Sequence, residues 1–134
     1  MMTISNPIPN RIDVVLSGPL DAQAMGHALD ELIGRSEGVK HGIMRYTVLD
    51  FDMPTLGAIT AEMARMPSLL SLLTRFDRCA VLSDIAWLRT AAELEGAAIP
   101  FVAIRGFALN ETAAAEAWLA ASTDDDEVAE NYPV

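Results

Sequence analysis

The sequence has little cysteine, few basic residues and no long apolar run, and each shortage argues against a class of protein. Its single cysteine, Cys79, cannot form an intramolecular disulfide, which fits a reducing compartment. All nine basic residues lie between Arg11 and Arg105 in an acidic chain, so we expect no nucleic-acid partner. No window approaches about 18 uncharged apolar residues, so we expect no membrane-spanning helix.

Several functional motifs are also missing. The first ten residues contain neither a basic segment nor a long apolar run, so we expect no signal peptide and a cytoplasmic location. No glycine-rich nucleotide loop follows a predicted strand. His27 and His41 are not spaced as metal ligands, so we expect both to be exposed and we expect no metal or cofactor.

The chain is acidic and rich in apolar residues. It carries a formal net charge of −10 over 134 residues, of which 51% are hydrophobic, and this length suits one domain. Five acidic residues follow position 121, which leaves fourteen against nine basic ones in the remainder. We therefore expect a domain over residues 1–121 and an acidic tail over 122–134, a composition typical of disorder.

Short β-branched runs alternate with helical patterns. Strands are predicted near the N-terminus and at residues 11–17, 43–51, 79–82 and 101–104. Helices are predicted to begin at Asp21, at Asp52 or Thr55, at Asp84 and at Asn110. This order predicts an α/β domain: a four- to five-stranded, mostly parallel sheet with an antiparallel N-terminal edge strand and about four helices.

The most apolar stretch is residues 63–76, which Pro67 interrupts. Because proline lacks an N–H and clashes with the preceding turn, it must break or kink the helix there. The leucines occupy more than one helical face, so one stripe cannot bury them all. We expect a lid over a lipophilic pocket, a homodimer interface or a membrane-contacting surface, and the alternative is packing over the sheet. Together with Trp87, the residues of this predicted surface are Met63, Met66, Leu69, Leu70, Leu72, Leu73 and Phe76.

Three other groups of side chains each have a functional and a simpler interpretation. Asp50 and Asp52 flank a strand end, where they could bind a divalent ion or do acid–base work, or one could cap a helix. Cys79 lies inside a predicted strand and is expected to be a small buried hydrophobe. Trp87 and Trp118 are expected to pack in the core, although Trp87 could instead line a pocket mouth or a membrane interface.

Several short segments carry a family resemblance. They are Val-Leu-Ser-Gly-Pro-Leu at 15–20, Leu-Asp-Phe at 49–51, Phe-Asp-Arg-Cys-Ala-Val-Leu-Ser-Asp at 76–84, and Ala-Glu-Ala-Trp-Leu at 115–119. Over roughly residues 3–120 the chain resembles the SpoIIAA-like proteins, relatives of the STAS (sulfate transporter and anti-sigma-factor antagonist) domain. The resemblance implies a domain without established enzymatic activity. It also implies a similarity to lipid-binding CRAL-TRIO domains, with a mobile helical lid at residues 63–76.

The phosphorylation motif of the STAS antagonists is not matched. Those proteins carry Asp-Ser-Ser-Gly at the turn from strand to helix, where this chain has Asp52, Met53, Pro54 and Thr55. Met53 and Pro54 have no hydroxyl group, and Thr55 is displaced. The resemblance therefore does not extend to the usual phosphoacceptor serine.

These observations lead to two main hypotheses. The first is a non-catalytic cytoplasmic homodimer that binds a lipophilic ligand, or touches the inner face of the membrane, through residues 63–76. The second is a STAS-type regulator that docks a protein partner through an interaction turn made of Asp52, Thr55 and Leu56. A hydrolase that uses Asp50 and Asp52 is a third possibility, but we expect no enzyme.

Overall fold

Five strands follow the alternation of apolar and polar residues. The computed structural model describes residues 2–18, 21–49, 64–97, 99 and 101–131, and the structural statements below concern these residues. The strands lie side by side in chain order, and β1 is antiparallel to β2 while the other pairs are parallel, as predicted. They are β1 (Met2–Ser5), β2 (Arg11–Leu16), β3 (Gly42–Val48), β4 (Phe76–Ser83) and β5 (Ala103–Phe107).

Within the described ranges, four α-helices accompany the sheet. They are α1 (Ala22–Ser36), α2 (Met66–Leu73), α3 (Ala86–Ala97) and α4 (Thr112–Asn131), with a short 3-10 turn at Leu109–Glu111 before α4. Asp21 caps α1 as predicted, because its Oδ1 accepts a hydrogen bond of 2.8 Å from the backbone N–H of Ala24.

The two faces of the sheet form two apolar cores. Successive residues of a strand point to opposite faces. On one face, α1, α2 and α3 pack over a row of neighbours in β2, β3 and β4: Ile12, Met44 and Cys79. On the other face, Ala115 and Leu119 of α4 pack against Ala80 and Leu82. Three helices therefore share one face of the sheet, and the apolar stretch around Pro67 lies on that face.

Pro67 stands near the beginning of α2. The helix begins at Met66, and Pro67 occupies its first turn. A proline is tolerated there because the N–H groups of the first turn have no partner within the helix. The helix predicted before Pro67 and the predicted end of β3 at residues 50–51 lie outside the described residues.

The predicted last strand is displaced by two residues. β5 begins at Ala103, not at Phe101, and continues through Gly106 to Phe107. Gly106 packs against α3, since a Cβ at this position would lie 2.8 Å from Cβ of Arg89. The glycine is therefore part of the strand because it lets a helix approach the sheet closely.

Two predicted helix caps are wrong. α3 begins at Ala86, so Ile85 occupies the position before it, and Oδ1 of Asp84 instead accepts from the N–H of Leu109 at 3.1 Å. Asn110 lies inside the 3-10 turn and is not the cap of α4. α4 then continues to Asn131, and the boundary between the domain and the acidic tail stays a prediction.

Candidate functional site

An apolar cavity lies between α2 and the sheet. Its volume is about 300 Å³. Three strands, β3, β4 and β5, form its floor, the helices α1, α2 and α3 pack over them, and Met2 of β1 is also part of the lining. The other lining residues are Leu29 and Leu32 of α1, Met44, Tyr46, Cys79, Val81 and Ile104 of the sheet, Leu69, Leu72 and Leu73 of α2, and Ala92 of α3.

The helix α2 covers this cavity with one of its faces, and we refer to α2 as the lid. Leu69, Leu72 and Leu73 line the cavity, and Leu72 is only 4% exposed. Met66 and Leu70 lie on the outer face, where Leu70 is 47% exposed. The leucines of α2 thus serve two faces, which is what their spacing predicts.

An ion pair fixes the start of the lid to α1. The Nε atom of Arg65 lies 2.7 Å from Oδ1 of Asp30, and Nη2 lies 3.2 Å from Oδ2. Gly26 leaves room for this guanidinium, because a Cβ there would be 3.1 Å from Nη2. The hydrogen bond from Arg65 lowers the pKa of Asp30, so the pair is charged at neutral pH.

Cys79 lies in the floor of the cavity, where its thiol is a poor nucleophile while it stays buried. Burial raises the pKa of its thiol to about 12, so the reactive thiolate is scarce at neutral pH. This agrees with the prediction of a small buried hydrophobe.

Phe76 and Trp87 differ in their exposure. Phe76 begins β4 and is 1% exposed, so within the predicted surface it belongs to the core. Trp87 is 58% exposed, and the expectation that it packs in the core is wrong. Arg89, two positions later, faces the sheet. Side chains two positions apart are about 200° apart around a helix, so Trp87 points away from the sheet.

Trp118 is partly buried, as predicted. Its ring centroid lies 6.0 Å from that of Phe107, and the guanidinium of Arg78 lies 5.0 Å from the Trp118 ring centroid. The same guanidinium donates to the carbonyl of Trp118 at 2.7 Å. This tryptophan therefore helps to dock α4 on the sheet.

The predicted interaction turn cannot be placed. Asp50, Asp52, Thr55, Leu56 and Met63 lie outside the described residues. At the carboxyl end of β4, Ser83 accepts two hydrogen bonds. Its buried Oγ accepts from the N–H of Ile85 at 3.1 Å, and its carbonyl accepts from Nη1 of Arg89 at 2.5 Å.

The histidines agree with the sequence expectation. Both are exposed, and Nδ1 of His41 lies 3.2 Å from Oδ1 of Asp77.

Across the described ranges, no three His, Cys, Asp or Glu side chains come together as a metal site. In that same part of the chain, no helix has the length and apolar character needed to cross a bilayer.

A charged cluster on the opposite face of the sheet escaped the sequence analysis. Glu116 of α4 accepts two hydrogen bonds from Arg11, of 2.6 and 2.7 Å, and one of 2.8 Å from Arg45. Asp13 completes the cluster, 2.8 Å from Arg11 and 3.4 Å from Arg45. The bonds from Arg11 lower the pKa of Glu116. Because 105 positions separate Arg11 from Glu116, no local pattern could have predicted this contact.

Comparison with known proteins agrees with this architecture. The sequence profile of the SpoIIAA-like family matches residues 11–120, and the chain belongs to that family. The family is related to the STAS domain and is generally non-enzymatic, which suggests a non-catalytic regulatory domain.

A solved structure shares the fold. It is the crystal structure of an uncharacterised protein of the DUF3478 family, with a SpoIIAA-like fold, from Shewanella loihica PV-4. The TM-score is 0.68 at 15% sequence identity, and the match covers 89% of this chain and 92% of that one. No functionally curated protein matches the chain.

Proposed function

We propose that the protein is a non-catalytic binding domain that holds a lipophilic small molecule in the cavity beneath the lid. The cavity of about 300 Å³ carries this proposal. Its size falls at the lower end of the range for small-molecule sites, which are mostly apolar and largely preformed. What sets it apart from the chain's other clefts is its lining, which is almost entirely apolar and comes from both the sheet and the lid.

The lid supports the same function. It is a helix of eight residues that the Arg65–Asp30 ion pair fastens to α1. Exposed ion pairs contribute little to stability, so opening this contact has a small energetic cost. The lid also buries Leu72, so we expect it to open by a local transition that exposes this side chain and costs less than global unfolding.

The outer face of the lid is an exposed apolar surface that is available for a contact. Met66 and Leu70 are exposed there, and we propose that they touch a membrane at its cytoplasmic surface or a second copy of the chain. Leu70→Asp should then abolish co-sedimentation with neutral phosphatidylcholine vesicles or dissociate a dimer in sedimentation equilibrium. Leu94→Asp, at a more exposed leucine of α3, is the control.

Native mass spectrometry of the purified protein tests the ligand proposal. We expect a bound species that organic extraction releases and that is lipophilic. Ala92→Leu, which places a larger side chain in the cavity, should abolish this species, whereas Ala113→Leu at an exposed position of α4 should retain it. A protein that carries no such species and takes up none from a panel of lipophiles would contradict the proposal.

A second candidate function is protein docking of the STAS type. It is favoured by Leu49 and Trp87, two exposed apolar residues that follow the carboxyl ends of β3 and β4. Ligand and partner sites of open α/β sheets occur at this edge. Asp52, Thr55 and Leu56 of the predicted interaction turn follow Leu49 by a few positions.

Variants distinguish this candidate from lipid binding. A purified anti-sigma factor of the kinase type should bind the chain, and Trp87→Ala, Thr55→Ala or Leu56→Asp should weaken that binding. Ala92→Leu should leave it unchanged, because the cavity lies under the lid and not at this edge. If no anti-sigma factor binds, and Ala92→Leu instead abolishes a bound lipophile, the lipophilic ligand is favoured.

A further inference from the structure

The cavity wall indicates what kind of lipophile it can accept. Among the described lining residues there is no lysine, arginine or histidine, and the polar side-chain atoms are the phenol of Tyr46 and the thiol of Cys79. A charged headgroup placed there would lose its hydration without meeting an opposite charge.

The burial of Cys79 in this wall has the same physical consequence. Its thiol lies in the floor of the cavity, and burial alone raises its pKa to about 12. The same loss of hydration would act on a carboxylate or phosphate beside it. A neutral molecule avoids this cost.

The volume limits the size of the ligand. A dry apolar cavity of about 150 Å³ accommodates benzene, so the cavity of about 300 Å³ has room for about twelve non-hydrogen atoms. A phospholipid with two acyl chains exceeds this several-fold. The described lining therefore fits one medium-length chain or a small fused-ring hydrocarbon.

We infer that the ligand is an uncharged lipophile with a single hydrocarbon body of about twelve non-hydrogen atoms, such as a medium-chain alcohol. This inference rests on the proposed function and adds the absence of charge and the limit on size. Fatty-acid anions, phospholipids and long-chain lipids are expected to bind more weakly, because the cavity encloses neither their charge nor their full length.

Calorimetric titration with n-decanol and with decanoate tests the charge, since the two probes share a chain and differ at the head. At about pH 8, where decanoate is ionised, n-decanol should bind at least about tenfold more tightly. Decanoate binding as tightly as the alcohol would overturn the inference but leave the proposed function intact. Failure of both probes, and of n-dodecane, to bind would overturn the proposed function itself.

The size limit is tested with hexadecanol. We expect it to bind more weakly than n-decanol, and equal or tighter binding would overturn the limit. Ala92→Leu should weaken the binding of n-decanol and also that of hexadecanol. Ala113→Leu should bind both as the wild type does. If Ala92→Leu fails to fold, the comparison of the probes on the wild-type protein still decides both points.

Discussion

Arg65 and Asp30 link the lid to α1 through two hydrogen bonds, of 2.7 and 3.2 Å. The aspartate lies in α1, and the arginine immediately precedes the first residue of α2. This ion pair connects two elements that both line the cavity. Its strength should therefore control how often the lid opens more than how stable the fold is.

Asp30→Asn should loosen the lid while the global stability changes little. The substitution removes the charge that Arg65 binds, and exposed ion pairs contribute little to the free energy of unfolding. Hydrogen exchange in residues 66–73 should accelerate several-fold while exchange in β3 is unchanged. Glu31→Gln, which breaks the exposed pair with Arg35 inside α1, should leave exchange in the lid unaltered.

Truncation of two leucines of the lid should have unequal effects on stability. Leu72→Ala should destabilise the fold by about 2–3 kcal/mol, because it removes a buried side chain beside an existing cavity. Leu70→Ala, at an exposed position, should change the free energy of unfolding by less than about 0.5 kcal/mol. Urea denaturation measures both, and equal losses would contradict the assigned faces of α2.

Glu116 should make stability depend on pH in the acid range. Its pKa is lowered by the bonds from Arg11, so the folded state holds the ionised form more strongly than the unfolded state does. The stabilisation is complete above the ordinary glutamate pKa of about 4.3 and is lost as the pH falls through the lower value of the folded state.

The variant Glu116→Gln checks this dependence. It should cost roughly 1–3 kcal/mol near pH 7, because Arg11 and Arg45 lose a charged acceptor. The gap to the wild type should close as the pH is lowered below about 4. The exposed substitution Glu93→Gln is the control, and a gap that stays constant with pH would contradict the role of Glu116.

Two glycines should give opposite results when replaced by alanine. Gly34→Ala should stabilise α1 by about 0.5–1 kcal/mol, since no atom lies within 4 Å of the new methyl group and glycine is a poor helix former. Gly106→Ala should destabilise by about 1–3 kcal/mol, because the methyl group would lie 2.8 Å from Cβ of Arg89. Thermal unfolding of the two variants measures both effects.

The sequence predicted the features that depend on neighbouring residues. The cap at Asp21 follows from a side chain that bonds a backbone N–H three residues later, and the strands follow from runs of β-branched residues. The order of strands and helices then identified the α/β class and its antiparallel edge strand. The two-faced character of α2 was also visible in the spacing of its leucines.

Features that depend on distant residues were not predictable. Phe107 belongs to β5 because the strand pairs with β4 and Gly106 admits Arg89, which no local pattern reveals. Asp84 bonds Leu109 across 25 positions instead of capping the next helix. Trp87 is exposed because α3 turns another face to the sheet, and that choice is made by packing and not by hydrophobicity alone.

Alkylation of Cys79 tests most directly whether the lid covers a ligand site. It is the only cysteine of the chain, it lies in the floor of the cavity, and its thiol is buried, so labelling requires the lid to open. Saturating n-decanol should slow iodoacetamide labelling at least about tenfold in the wild type and have no effect in Ala92→Leu. An unchanged labelling rate in the wild type would contradict the account.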